Sequence, residues 1–284
     1  MKSVDIITAV RNEEKYIPIF IKSIQALPLP ESIARGIIFV EDSSTDNTIG
    51  VLREVSKAYN NVRFYSLREG FGEGPAVVFG MSRSSADAVI MMDVDEGHPV
   101  NVIPKMIDHY LNGADVVQAV RITLKDRKIY RDAGAALFSI IARVITGVNM
   151  KEQNVYFRLV SREYKKLIIN TRKWIHFLRI NLPRDSTGCL RKVYFNAGER
   201  KLGKSKYNLS RLTKLSLDGI LSLVSAIRLI FIVFLLGAAG LTAALVSKPV
   251  FSLPFVLIAI LIVLRYYQIS HDDILTKMKI KEKG

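Results

Sequence analysis

Two carboxylates stand one residue apart at Asp93 and Asp95, directly after the apolar run Ala88-Val89-Ile90-Met91-Met92. Side chains two apart on an extended strand share a face, so both acids point one way where a buried strand reaches the surface. Hard oxygen ligands of this kind suit Mg²⁺ or Mn²⁺, and a metal held there could carry a diphosphate. Asp-x-Asp at a strand end is also the composition of an ordinary polar loop, so the motif gains meaning only from its company along the chain.

Other polar residues gather at comparable places. Arg11-Asn12-Glu13-Glu14 follows the run Ser3 to Val10, and Glu41-Asp42-Ser43-Ser44-Thr45-Asp46-Asn47-Thr48 follows Gly36 to Val40. Part of the second cluster is helix capping for the stretch Ile49 to Tyr59. Ligands in open α/β sheets bind beyond the carboxyl ends of strands, so the residues after Val10, Val40 and Met92 are predicted to line one crevice. Gly70-Phe71-Gly72-Glu73-Gly74-Pro75-Ala76 has neither dinucleotide-fingerprint spacing nor the Lys-Ser/Thr ending of a P-loop. It is read as a turn before a helix over Ala76 to Ser84.

Holding these residues in place requires a sheet. Ser3 to Val10 is apolar and β-branched, Glu13 to Leu27 has helical spacing, and Gly36 to Val40 is a second short apolar run. The alternation predicts an α/β domain with a mostly parallel sheet. The 284 residues suffice for such a domain and an appendage. Composition shifts at Leu229 to Ser247 and Pro249 to Leu264, two apolar stretches separated by Lys248. They predict a membrane hairpin, the second arm reaching the span of roughly 30 Å only with Arg265, Tyr266 and Tyr267 at the interface. Before it, Leu209, Leu212, Leu217 and Ile220 suit amphipathic helices lying along a membrane. The expected organisation is a domain over 1–207, interface helices over 208–228, two transmembrane helices over 229–267 and a basic tail over 268–284.

A formal net charge of +15 asks for anionic partners. The densest basic stretch, from Arg191-Lys192 to Lys206, Arg211 and Lys214, lies just ahead of the hairpin, where it would face headgroups and any phosphate among them. No nucleic-acid module is recognisable, so nucleic acid is not an expected partner. Basic residues flank both ends of the hairpin, so the positive-inside rule predicts a multi-pass protein of the cell membrane with its domain and both termini cytoplasmic. Asp5 interrupts any signal-peptide apolar region, and the single Cys189 excludes an internal disulfide. No His/Cys set has zinc spacing, and no Ser/His/Asp order suggests a hydrolase. Gly237, Ala238 and Gly240 offer small residues through which paired hairpins of a homo-oligomer could pack.

Taken together, Ala9-Val10-Arg11-Asn12-Glu13-Glu14, the segment Val40 to Thr48, Asp93-Val94-Asp95 with His98-Pro99, and Gly203-Lys204-Ser205-Lys206-Tyr207 resemble, in order, the motifs of family 2 glycosyltransferases. The branch looks like the polyprenyl-phosphate glycosyltransferases, which are similar to dolichol-phosphate mannose synthase in their catalytic domain. Phe157-Arg158-Leu159-Val160-Ser161-Arg162 and Leu217-Asp218-Gly219-Ile220 resemble the subgroup with a two-helix membrane tail, the polyprenyl-phosphate glucosyltransferases.

The resemblance implies a GT-A (Rossmann-like) glycosyltransferase domain that uses Mg²⁺ or Mn²⁺, a nucleotide-sugar donor of the UDP-glucose or GDP-mannose type, and polyprenyl or dolichyl phosphate as acceptor. It implies that Glu13 and Asp42 help hold the base, with Ala9, Arg11 and Val94 beside the nucleotide. It further implies Asp93 near the ribose and on the metal, and Asp95 on the metal that bridges the donor diphosphate. An acceptor phosphate attacking from the opposite face inverts the anomeric carbon. Guanidinium and ammonium groups suit that phosphate, and the candidates are Arg121, Arg127, Arg131, Arg200 and Lys206. The chain departs from the family pattern at Ala9, Arg11, Glu73, Gly97 and the stretch Gln153-Asn154-Val155-Tyr156. A transferase acting on a glycan or protein acceptor, and a catalytically silent membrane-anchored relative, are the alternatives.

Overall fold

Ile37 to Glu41 and Ala88 to Met92 are buried without a break, the pattern of strands covered on both faces. The computed structural model describes residues 1–95, 98–122, 156–170, 189–196, 233–238, 253–271 and 277–284. At its centre β1 (Lys2–Val10) pairs in parallel with β2 (Ile33–Glu41) and β4 (Ala88–Met91), and β2 pairs in parallel with β3 (Val62–Leu67). Beyond β4, β6 (Arg158–Ser161) runs antiparallel to both β4 and β5 (Val116–Ile122), and β7 (Leu190–Asn196) lies parallel to β5. The eight-stranded order is β7-β5-β6-β4-β1-β2-β3-β8. The sheet is therefore parallel in its core and mixed at its flanks.

Helices cover both faces. On one lie α1 (Tyr16–Gln25), α2 (Thr48–Ala58) and α4 (Ile103–Leu111), which follows a short 3₁₀ turn at Val100–Val102. Ile17, Phe20, Ile21 and Ile24 form the buried stripe of α1, at the spacing that brings side chains onto one helix face. On the other face lie α3 (Glu73–Ser82) and α5 (Arg162–Asn170). Gly80 lets α3 approach the sheet closely: a Cβ there would come within 2.6 Å of Ile7 Cγ2 and 3.0 Å of Val40 Cγ2.

The last residues, expected as a basic tail, include β8 (Ile280–Lys283), which runs antiparallel to the edge of β3. Phe64 N–H donates to Gly284 O at 2.7 Å, and Gly284 N–H donates to Phe64 O at 3.1 Å. Arg53 on α2 makes a two-pronged ion pair with Glu282, and Met278 is buried in the same apolar cluster as Leu67 and Tyr65.

The transmembrane hairpin expected from the sequence is not found: among the described residues no helix is long and apolar enough to cross a membrane. Of its first arm, residues 233–238 are helical and the rest lies outside the described residues. The second arm is α6 (Leu253–His271), which starts four residues later than the apolar stretch and continues past Arg265 into polar sequence. Its uncharged part, Leu253 to Leu264, is about 18 Å long at the α-helical rise. The expected interface helices over 208–228 also lie outside the described residues.

Candidate active site

Because β1 lies between β2 and β4 and all three are parallel, their carboxyl ends stand side by side. At the usual strand spacing the ends of β2 and β4 are about 10 Å apart. Each strand sends a polar loop over that edge.

The loops after β1 and β2 are bound to one another. Asn12 and Ser43, the residues that turn the chain away from these strands, both have positive φ, 57° and 59°. Such conformations are uncommon for residues other than glycine and persist where surrounding contacts fix them. Here Asn12 N–H donates to Ser44 Oγ at 3.0 Å, Thr45 N–H donates to Asn12 Oδ1 at 2.7 Å, and Glu13 N–H donates to Thr48 Oγ1 at 2.9 Å. Fully buried Glu41 accepts from Ser66 Oγ at 2.6 Å and from Ser44 N–H. Buried acids of this kind are tolerated because hydrogen-bond donors replace water.

Asp42 holds the third loop. Its two carboxylate oxygens accept N–H bonds from Phe71 at 2.7 Å and Gly72 at 2.9 Å, which fixes the glycine-rich turn just before α3. Gly72 has φ 92°, a conformation glycine adopts without steric cost. Burial pushes the Asp42 carboxyl above its ordinary value, outweighing the two amide donors and the Arg11 charge that pull it down. Gly70 leaves room for Arg11, whose Nη1 lies 3.0 Å from where a Cβ would stand.

The acidic loop leaves β4 beside this assembly. Asp93 and Asp95 are partly exposed, whereas the Val94 side chain turns into the core. Val94 can therefore meet a ligand only through its backbone. The loop closes on His98: Asp93 N–H donates to His98 Nδ1 at 2.8 Å, and His98 N–H donates to Asp95 O at 3.2 Å. Nδ1 also lies 3.6 Å from Asp93 Oδ2, but a nitrogen that accepts from an amide carries no proton, so this is not an ion pair. Behind the loop, Arg158 stands opposite Met91 across the β4–β6 pairing, buried and bonded through Nε to Gln118 Oε1. Burial lowers its pKa to about 10, which leaves it charged at neutral pH.

The structure thus brings Arg11, Glu13 and Asp42 together and sets Asp93 and Asp95 at the neighbouring strand end. Ala9 is partly buried against the core and offers little side chain to a ligand. Arg121 is exposed near the end of β5, which runs in the same direction as β4 and so delivers it to the same edge of the sheet. Arg127, Arg131, Arg200 and Lys206 lie outside the described residues, as do Gly97 and residues 151–155. Gly237 and Ala238 are exposed on the helical segment 233–238, and Gly240 lies outside the described residues. Asn12 and Glu41 were expected at the crevice only as members of the polar clusters after Val10 and Val40, with no role of their own, and the Gln118–Arg158 pair was not anticipated. The local signal for Glu41 was its place beside Asp42 after an apolar run; for the pair there was none, since its members are 40 positions apart.

Among the described residues no three or more His, Cys, Asp or Glu side chains gather into a metal cage. Small divalent cations that carry nucleotides are commonly held by one or two carboxylates, with phosphate and water oxygens completing the shell. Asp93 and Asp95 fit that arrangement.

Comparison with known proteins agrees with this geometry. A bactoprenol glucosyl transferase of Shigella phage SfV is 30% identical over 268 residues, spanning 91% of this chain and 87% of the phage protein. An undecaprenyl-phosphate 4-deoxy-4-formamido-L-arabinose transferase of Yersinia enterocolitica is 26% identical over 247 residues, 86% of this chain and 75% of its own length. Glucosyl-3-phosphoglycerate synthase from Mycobacterium tuberculosis, crystallised with Mn²⁺ and uridine-diphosphate-glucose, shares the fold with a TM-score of 0.52 at 18% identity, over 78% of each chain. The GT-A-like α/β architecture expected from the sequence is therefore the one observed. With the glycosyl transferase family 2 model matching residues 5–171, the chain belongs to that family.

Proposed function

We propose that the protein transfers a hexose from a nucleotide sugar to a polyprenyl phosphate, with inversion at the anomeric carbon. The observation that carries this reading is the placing of the Asp42-held loop after β2 and the Asp93/Asp95 loop after β4, on either side of β1 at one edge of the sheet, in a chain whose relatives are named for bactoprenol and undecaprenyl phosphate. Asp42 keeps the Phe71-Gly72 turn in place and, with Glu13 and Arg11, shapes the end of the crevice that receives the base. Asp93 and Asp95 hold Mg²⁺ or Mn²⁺, which supplies positive charge to the departing diphosphate. An oxygen of the acceptor phosphate forms the new bond to the anomeric carbon as the bond to the nucleoside diphosphate breaks. That phosphate is already anionic near neutral pH, so the chain need not provide a strong base. Arg121, together with Arg127, Arg131, Arg200 and Lys206, meets the acceptor phosphate.

A lipid acceptor gives a reason to hold the site at a bilayer. Supporting this, α6 exposes Val256, Leu257, Ile260, Leu261, Val263 and Leu264, a contiguous apolar surface of the kind that needs apolar cover. The stretch Leu229 to Ser247 is equally apolar. We place both against the membrane, with the domain on the cytoplasmic side as the flanking basic residues suggest.

The test is transfer of labelled sugar from UDP-glucose, GDP-mannose and a small donor panel to polyprenyl phosphate in detergent with Mg²⁺ or Mn²⁺. Metal-dependent labelling that falls by roughly 10²-fold or more in Asp95→Ala is expected, the scale of losing one preorganised electrostatic group. No labelling with any donor, from folded protein, would overturn the reading. Labelling of a glycan or protein in place of lipid would redirect it.

A further inference from the structure

We propose that His98 is a positioning residue for the acidic loop, its unprotonated Nδ1 holding the Asp93 backbone while Phe157 fixes its ring, so that both carboxylates are presented for a divalent cation; this rests on the site reading above.

Three observations carry the proposal. His98 is bonded to both acids through the backbone, Asp93 N–H donating to His98 Nδ1 at 2.8 Å and His98 N–H donating to Asp95 O at 3.2 Å. The ring is 8% exposed and stacks on Phe157 with centroids 5.4 Å apart at 30°. Phe157 is itself fully buried, packs edge-on against Phe195 of β7 at 5.9 Å, and gives its carbonyl to Ala119 N–H at 3.0 Å and Gln118 Nε2 at 3.2 Å. The imidazole thus rests on Phe157, a residue itself held by β5 and β7, and it passes that rigidity to the amide of the first acid. A carboxylate whose own backbone is anchored stands in its binding orientation before the cation arrives, and groups that orient metal ligands are worth about 10- to 100-fold in metal affinity. An ordinary core histidine would need only the stack. What distinguishes this one is that a loop amide spends its hydrogen bond on the ring.

The two functions of the ring separate by substitution. Asparagine places an amide oxygen as many bonds from Cα as Nδ1, so His98→Asn keeps an acceptor for Asp93 N–H and loses the stack. His98→Phe keeps the stack and removes the acceptor. In the full chain in detergent, hydrogen exchange of the peptide spanning residues 92–98 should accelerate in His98→Phe and stay near wild type in His98→Asn. Mn²⁺ binding followed by electron paramagnetic resonance, with UDP as the nucleotide probe, should weaken about 10-fold in His98→Phe and much less in His98→Asn. The proposal is overturned if His98→Phe matches wild type in Mn²⁺ binding, or if wild type binds no Mn²⁺. It is likewise overturned if both variants lose Mn²⁺ in parallel with a common drop in melting temperature, the pattern of a mere core filler. Failure of the transferase reading appears differently, as absent lipid labelling by wild type with the exchange and Mn²⁺ results intact.

Discussion

Asp87 shows how one half-buried acid can carry stability in this domain. Its carboxylate accepts Ser3 N–H and Ser3 Oγ, each at 2.9 Å, and Arg162 Nη2 at 2.6 Å, so it ties β1, the turn before β4 and α5 together. The Ser3 amide is the main cause that holds its pKa below the ordinary 3.8, with the Ser3 hydroxyl next and the Arg162 charge smaller. A carboxyl whose folded pKa is depressed contributes stability above its unfolded value, and that contribution is lost as pH falls through the folded value. Asp87→Asn should therefore lower the unfolding free energy measured by urea titration at pH 6, by of order 1 kcal/mol given partial exposure. The gap between variant and wild type should close below pH 3.8. A gap that stays constant with pH would assign the effect to shape alone. At this scale Asp42, Asp93 and Asp95 were legible because acids following apolar runs mark strand ends. Their partners were not: Phe71 and Gly72 reach Asp42 from 29 and 30 positions away, through backbone atoms that no residue type betrays.

Elements tell a similar story. The strands β1, β2 and β4 and the helices α1 and α2 were readable from their apolar runs and periodicity, with boundaries moved by a few residues. Strands β5 and β6 were not, because polar Gln118 and Arg158 interrupt them. The two stand opposite each other in the β5–β6 register and bond to one another, so each makes the other's burial possible. Helix α3 was read as beginning at Ala76, but Asp42 fixes the preceding turn and lets it begin at Glu73. Its packing yields a sharp expectation. Alanine is the better helix former by about 1 kcal/mol, yet a methyl on Gly80 would strike branched, buried Ile7 and Val40. Gly80→Ala should destabilise by about 1–3 kcal/mol, seen as a lowered thermal midpoint, because overpacking a rigid core outweighs propensity. An unchanged or raised midpoint would mean that α3 can lift off the sheet at little cost.

On the scale of the whole molecule, the sheet is assembled from distant parts of the chain. Arg53 and Glu282, which fasten α2 to β8, are 229 positions apart. Without β8 the N–H and C=O groups along the edge of β3 would be open for pairing with another copy. Removing residues 277–284 should therefore lower the melting temperature and yield concentration-dependent association in size-exclusion chromatography, whereas Glu282→Ala, which leaves the backbone ladder intact, should stay monodisperse relative to wild type. The basic composition that suggested a loose tail hid this strand, because Lys279, Lys281 and Lys283 flank the short apolar pattern of Met278 and Ile280. The pairing also sets a clock. Closing so long a loop costs little more free energy than closing one half its length, since the entropy grows only logarithmically. Its effect is on timing, as distant strand pairs form late. During synthesis, the seven strands described before residue 197 must wait, with the β3 side of their sheet open, until Lys283 has been laid down. The nascent domain is consequently most vulnerable to misassociation in that interval, and β8 acts as the latch that closes the β3 edge.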